Sequence, residues 1–332
     1  MTLSYLWRLC FLCAATFFVV HTLVAIAARL FVPAALRFTR RLQPRSATQF
    51  LLALRLAPAA LATISVLILC IPSYLSFEPG ATREEVGFVC ISAAFLTAAL
   101  LIISFARAIR ALVTTNSYVR TCLKSGMQTQ TPTTFSPITV IDAAAPVIAV
   151  VGAFRPQFII SRGVLETLSP EELDSAIRHE RAHRTSADNF KRLLLLLAPD
   201  VFPFVSNAFS ALDRAWITFS EWAADDSAVA NDLQRSLSLA GALVHVAQMG
   251  AAPRMSPLCT SLVSGNSACM NHDLSERVDR LLHTAPIQRK TPNRFRAILA
   301  VSTIVLACAV FVALIRPETL HSVHELLEIL TH

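Results

Sequence analysis

The chain has 332 residues, of which 54% are hydrophobic and only 15% charged. Soluble domains carry about a quarter charged residues, so a purely soluble protein is set aside and a membrane protein takes its place. The formal net charge is +7, but the arginines stand beside apolar runs. That is the pattern of anchoring on the inner side of a membrane, so membrane lipids are expected partners and direct nucleic-acid binding is not.

Four apolar segments, residues 5–32, 50–75, 86–112 and 295–315, reach the roughly 20 residues that a spanning helix needs. The first is too long for a signal peptide and shows no small-residue cleavage pattern. Orientation follows from the basic flanks. Arg37, Arg40, Arg41 and Arg45 follow the first segment; Arg107, Arg110, Arg120 and Lys124 leave the third; Arg289, Lys290, Arg294 and Arg296 surround the start of the fourth. The second segment leads instead to Glu78, Glu84 and Glu85, with Arg83 alone among them. Both termini are therefore expected outside. The predicted layout is three transmembrane helices in residues 1–112, a cytoplasmic domain in 113–293, a fourth transmembrane helix in 294–316 and a short amphipathic outer tail in 317–332.

Several polar residues fall inside the spans. Arg8 and Arg55 lie near span ends and are expected to snorkel to the interface; His21 is expected to be a packed histidine. Cys10, Cys13, Cys70, Cys90 and Cys308 read as small hydrophobes. The apolar run at 193–206 is too short to span and is interrupted by Pro199, Asp200 and Pro203. It reads as a re-entrant or interfacial segment that holds the domain against the membrane.

In the cytoplasmic region, residues 147–151 and 158–160 are β-branched and aromatic and predict short strands. Ser169-Pro170-Glu171-Glu172 is a helix start, with serine as cap, proline at the first helical position and Glu172 closing a capping box. The helix runs into His179-Glu180-Arg181-Ala182-His183. Histidines four apart share a helix face and can reach one Zn²⁺, while the glutamate between them can activate water. A catalytic zinc needs a third ligand from another element. A second helix is predicted over about 208–231, where Glu221 and Asp225 share a face. Glu221 is the candidate third ligand, and Asp225 is placed to hydrogen-bond a ligand histidine from behind. Residues 256–273 read as a flexible loop that could act as a lid.

His179-Glu180-x-x-His183 followed by Glu221-x-x-Ala224-Asp225 resembles the gluzincin membrane peptidases, both the HtpX and CAAX-protease type and the BlaR/MecR type. The lead-in 155–173 and the segments 237–243 and 274–278 are similar as well, and Asp188, five beyond His183, matches an aspartate of the BlaR/MecR type. Three spans before the motif, one after, and no full spans between His183 and Glu221 favour that type. The resemblance implies a multi-pass α-helical membrane protein of the bacterial inner membrane, with a cytoplasmic, mainly α (α+β) gluzincin zinc-peptidase domain. It implies one Zn²⁺ on His179, His183 and Glu221, Glu180 as catalytic base, and Asp188 and Asp225 as supports of the histidines. It further implies a protein substrate of repressor type and Arg277 near the site, stabilising the tetrahedral intermediate. A strand at Val150, Val151, Gly152, Ala153 and Phe154 would bind the substrate backbone by strand addition; a plain core strand is equally open. The sixteen or so residues after Arg316 are too few for the penicillin-binding sensor domain of the β-lactam sensors, so sensing is expected from a separate protein, the spans or the short outer loop. Quality-control proteolysis of HtpX type and a non-catalytic signalling scaffold remain as alternative functions.

Overall fold

A computed structural model describes residues 3–77, 87–129, 137–200, 203–250, 256–263 and 270–283. The predicted fourth span, the tail at 317–332 and the acidic loop at Glu78, Glu84 and Glu85 lie outside them. Chain order is α1 (Leu3–Thr39), α2 (Pro44–Ser65), a π turn (Val66–Cys70), α3 (Ile71–Phe77), α4 (Phe88–Ser125), β1 (Met127–Thr129), β2 (Ile138–Ile141), β3 (Ile148–Val151), β4 (Gln157–Ser161), α5 (Arg162–Thr167), α6 (Pro170–Thr185), α7 (Asp188–Leu197), α8 (Pro203–Val229), α9 (Leu233–Gln248), β5 (Cys259–Ser261) and α10 (Met270–His283).

Three helical stretches, Tyr5–Thr39, Pro44–Phe77 and Phe88–Ser125, are long and apolar enough to cross a membrane. Leu23, Leu30, Phe31, Phe95 and Ile102 are exposed along them, an apolar surface that suits lipid and not water. The second stretch widens into its π turn just before Pro72. Proline has no N–H to return to the preceding turn, and the wider turn accommodates that loss.

α4 continues past the apolar region and joins the domain: Tyr118, Val119 and Cys122 pack on Ile141, Val147, Ala149, Val151 and Ile159. The other face of the sheet, with Ile138, Ile148, Val150, Phe158 and Ile160, packs on Ala176 and Ile177 of α6 and on Leu239, Ala242 and Leu243 of α9. Alternate residues of β3 thus face two cores, which is why the strand is apolar throughout. The sheet order is β1-β2-β4-β3-β5.

Of the two alternatives open for 150–154, a substrate-binding edge and a core strand, this order fits the core strand. β3 pairs antiparallel with β4 on one side and β5 on the other, with Val150 opposite Thr260 and Val151 opposite Cys259. A substrate strand could pair with Val150 and Val151 only by displacing β5. Gly152, with φ 108, ends the strand in a conformation that favours glycine, and Ala153 and Phe154 lie beyond it. The expected loop at 256–273 is corrected, since β5 and the start of α10 occupy part of it.

The run at 193–206 is divided: Leu193 and Leu195 are buried in the last turns of α7, and α8 starts at Pro203, earlier than the spacing predicts. α7 rests on α4 through Leu193, Leu196 and Leu197 against Ala108, Ala111 and Leu112. α8 rests on α1 and α2, where Phe209, Leu212, Trp216 and Phe219 meet Ala25, Ala28, Val32, Ala47 and Leu51. Small residues on α1 and α2 let the large rings approach closely.

Arg55 does not snorkel. It is 3% exposed, and it donates to Asp200 Oδ1 at 2.6 Å and Asp213 Oδ1 at 3.2 Å. Its guanidinium lies 4.7 Å from the centre of the Phe209 ring. Arg107 on α4 completes the cluster through Asp200 Oδ2 at 2.8 Å and the Ala198 carbonyl at 3.1 Å. Two aspartates from the α7–α8 region offer a closer partner than the interface, so the side chain turns inward. His21 is buried and stacks on Phe17.

Candidate metal centre

The first two candidate ligands owe their placement to a well-capped helix. Ser169 Oγ accepts from the Glu172 amide and Glu172 Oε2 from the Ser169 amide, which starts α6 in register. His179 and His183 then lie one turn apart on the face turned to α8. Their Nε2 atoms are 3.1 Å apart. Glu221 on α8 meets them, with Oε2 3.4 Å from His179 Nε2 and Oε1 3.6 Å from His183 Nε2. Ligand-type atoms of the three residues all lie within 4.8 Å of one another.

Each imidazole is held from behind. His183 Nδ1 is 2.8 Å from Asp188 Oδ2, and His179 Nδ1 is 2.9 Å from Asp225 Oδ1. Asp188 reaches its place because the chain reverses after α6 through Ala187, a left-handed residue with φ 53. Lys191 Nζ steadies Asp188 at 3.0 Å. Asp225 receives Arg277 Nε at 2.9 Å and Nη2 at 2.7 Å. A carboxylate at Nδ1 keeps the ring proton on that side and leaves Nε2 a lone pair.

The donor set fits a divalent cation. The two Nε2 atoms face each other at 3.1 Å beside Glu221 Oε2, a buried oxygen whose nearest cation is Arg277 Nη1 at 3.3 Å. Two imidazoles and one carboxylate converging on a point are the ligand types of a catalytic zinc with an open position. The electrostatics agree. Burial alone would lower His183, but the Glu221 and Asp188 carboxylates outweigh it and lift it to about 10. His179 is raised against the same burial penalty by Asp225 and Glu221. Glu221, despite burial, is held well below the usual carboxylate range by His183, His179 and Arg277. The cluster favours positive charge at its centre, and a metal ion competes there with protons.

Glu180 faces the same space. It is fully buried, its Oε2 accepts the Val150 N–H at 3.1 Å, and its Oε1 has no partner among the described residues. Burial pushes its carboxyl up to about 7. Val150 therefore does contact the site, through its backbone amide and not as an open strand edge.

Arg277 departs from its expected role. Its Nε and Nη2 are spent on Asp225 and its Nη1 on the Leu262 carbonyl at 2.8 Å, with Glu221 Oε2 at 3.3 Å. Buried between two carboxylates, it braces the site with each of its three nitrogens engaged. Two residues escaped the sequence reading. Asn189 donates through Nδ2 to the carbonyls of Val150 and Gly152 and ties α7 to β3. Arg192 lies one turn beyond Asp188, with Nη2 4.0 Å from Glu221 Oε1; its four-residue spacing from Asp188 was the available signal.

No curated protein matches the chain. The model of the family described as BlaR1 peptidase M56 matches residues 84–281. That stretch is more than half of the chain and takes in α4, the sheet, both histidines, Glu221 and Arg277. With three apolar helices of spanning length and a His-His-Glu cluster in the matched region, the chain belongs to the BlaR1 peptidase M56 family of membrane metallopeptidases.

Proposed function

We propose that this chain is an integral-membrane zinc endopeptidase that cleaves a cytoplasmic or membrane-proximal protein in signal transduction, with a repressor-type substrate. The observation that carries the chemistry is the convergence of His179 Nε2, His183 Nε2 and Glu221 on one point beside the unpartnered Oε1 of Glu180. His179, His183 and Glu221 would hold the ion. When bound, zinc supplies Lewis acidity to a scissile carbonyl and makes water a better nucleophile at neutral pH. Glu180 takes the proton of the attacking water at Oε1 while Oε2 stays anchored on the Val150 amide, and the same carboxyl then protonates the leaving amine. Asp188 and Asp225 keep the histidine protons at Nδ1 throughout.

The basic flanks of the apolar segments support a layout with the N-terminus outside and the peptidase domain of residues 113–293 in the cytoplasm of a bacterium. In this layout the segment 193–206 lies against the membrane, residues 294–316 form a fourth span and 317–332 an outer tail. A separate protein is a candidate sensor.

The test is bound metal per chain in detergent-purified protein, for wild type beside His183→Ala and Glu221→Ala. About one zinc in wild type and a sharp fall in both variants is expected. A folded wild type without tightly bound metal after chelator-free purification would return the chain to the scaffold reading. For the substrate, Glu180→Gln serves as a trap in crosslinking. A single DNA-binding repressor supports the signalling role, whereas a broad set of damaged proteins points to quality control.

A further inference from the structure

We infer that Arg192 is the residue that stabilises the oxyanion formed when a peptide bond is attacked at this site; the inference rests on the peptidase reading above. Hydrolysis of an amide moves the carbonyl π pair onto oxygen as water adds to carbon. The water proton passes to Glu180, and when the C–N bond breaks the pair returns and the amine takes the proton. The oxygen that carries the transient charge needs a fixed donor that is already in place.

Arg192 has the placement and the spare donors. It shares a face of α7 with Asp188, which contacts His183. Its Nη2 stands 4.0 Å from Glu221 Oε1, beyond hydrogen-bond range. Its Nη1 is anchored on the Cys259 carbonyl at 2.6 Å, so the plane of the guanidinium is held by β5. Its Nε is buried without a hydrogen-bond partner among the described residues. The side chain as a whole is 20% exposed, so it is not sealed into the core. The bond to Cys259 also shows what this guanidinium takes: the oxygen of a peptide group. Among the described residues, Arg277 is committed to Asp225 and the Leu262 carbonyl, and Lys191 to Asp188.

The experiment compares wild type, Arg192→Ala and Arg192→Lys as full-length protein in detergent. It measures zinc content, kcat and KM on fluorescein-labelled casein, and calorimetric affinity for two zinc-directed peptides. One is a phosphinic peptide, tetrahedral and anionic like the oxyanion; the other is a planar hydroxamate. For Arg192→Ala the expectation is unchanged zinc, KM within a few-fold and kcat lower by about 10²–10³. Phosphinic affinity should fall by a similar factor and hydroxamate affinity should not. Arg192→Lys, which keeps the charge but not the fork, should fall between. Unchanged kcat, or equal weakening of both inhibitors together with a raised KM, would overturn the role and leave Arg192 as a pin for β5. A zinc-loaded wild type that neither cleaves casein nor binds the phosphinic peptide would overturn the peptidase reading itself.

Discussion

Two clusters of charge join parts of this chain that are far apart in sequence, and they are built differently. At the junction of the apolar helices with the domain, Arg55 and Arg107 meet Asp200 and Asp213. Two cations balance two anions there, and each carboxylate is paired with a guanidinium. At the candidate metal centre, Glu180, Asp188, Glu221 and Asp225 surround two imidazoles, with Arg277 on Asp225 and Glu221 and Lys191 on Asp188. The two Nε2 atoms and the Glu221 carboxylate are left facing one point. A balanced cluster holds helices together; a cluster with acceptors facing one point binds something. Removing one member should accordingly have different consequences in the two places.

The largest effect is expected from Glu221→Ala, which removes a ligand-type carboxylate. Elemental analysis should show the metal lost, and proteolysis should disappear with it, as it should after dialysis against a chelator with recovery on adding zinc. Glu180→Gln keeps the ligands and removes the base. Turnover should fall by about 10³-fold or more while zinc stays bound, and an active, contaminant-free variant would remove Glu180 from its role. Asp225→Asn loosens the support of His179 and the partner of Arg277. Zinc affinity, measured by competition with a chromogenic chelator, should weaken about 10–100-fold; an unchanged affinity would make Asp225 a packing residue only.

In the balanced cluster, Arg55→Met should leave zinc stoichiometry intact at saturating metal and lower the stability of the detergent-solubilised protein by about 2 kcal/mol. That is below the 3–5 kcal/mol of a fully buried broken pair, because Asp200 and Asp213 keep part of their solvent. Loss of zinc in this variant would mean that the two clusters are not separable. The smallest effect belongs to a surface pair on α6, Arg178 with Asp174 at 2.7 Å. Arg178→Ala should change stability by about 0.5 kcal/mol or less, within the error of most melts.

The same contrast describes what can be read without coordinates. His179, Glu180 and His183 are legible because one helix sets their relation through four-residue spacing. The Ser169 cap that starts that helix is legible for the same reason, and so is the shared face of Glu221 and Asp225. Asp188 came from resemblance, since the left-handed turn at Ala187 leaves no local signature. Arg277 was visible as a residue near the site but not as a brace, because its partners Asp225 and Leu262 come from other elements. Arg55 was read from its distance to a span end, which says nothing of two aspartates about 150 positions later that reach it in the fold.

The sequence by itself determined the three described apolar helices, the start of α6 and the identity of the metal-type donors, since each depends on neighbours within a few residues. Only the tertiary structure decided that β3 is interior, flanked by β5, and that Arg277 is spent while Arg192 keeps donors free. It also decided that Arg55 turns inward to Asp200 and Asp213. Those outcomes depend on which distant groups compete for the same hydrogen bonds, and that competition is settled only when the helices and the sheet pack.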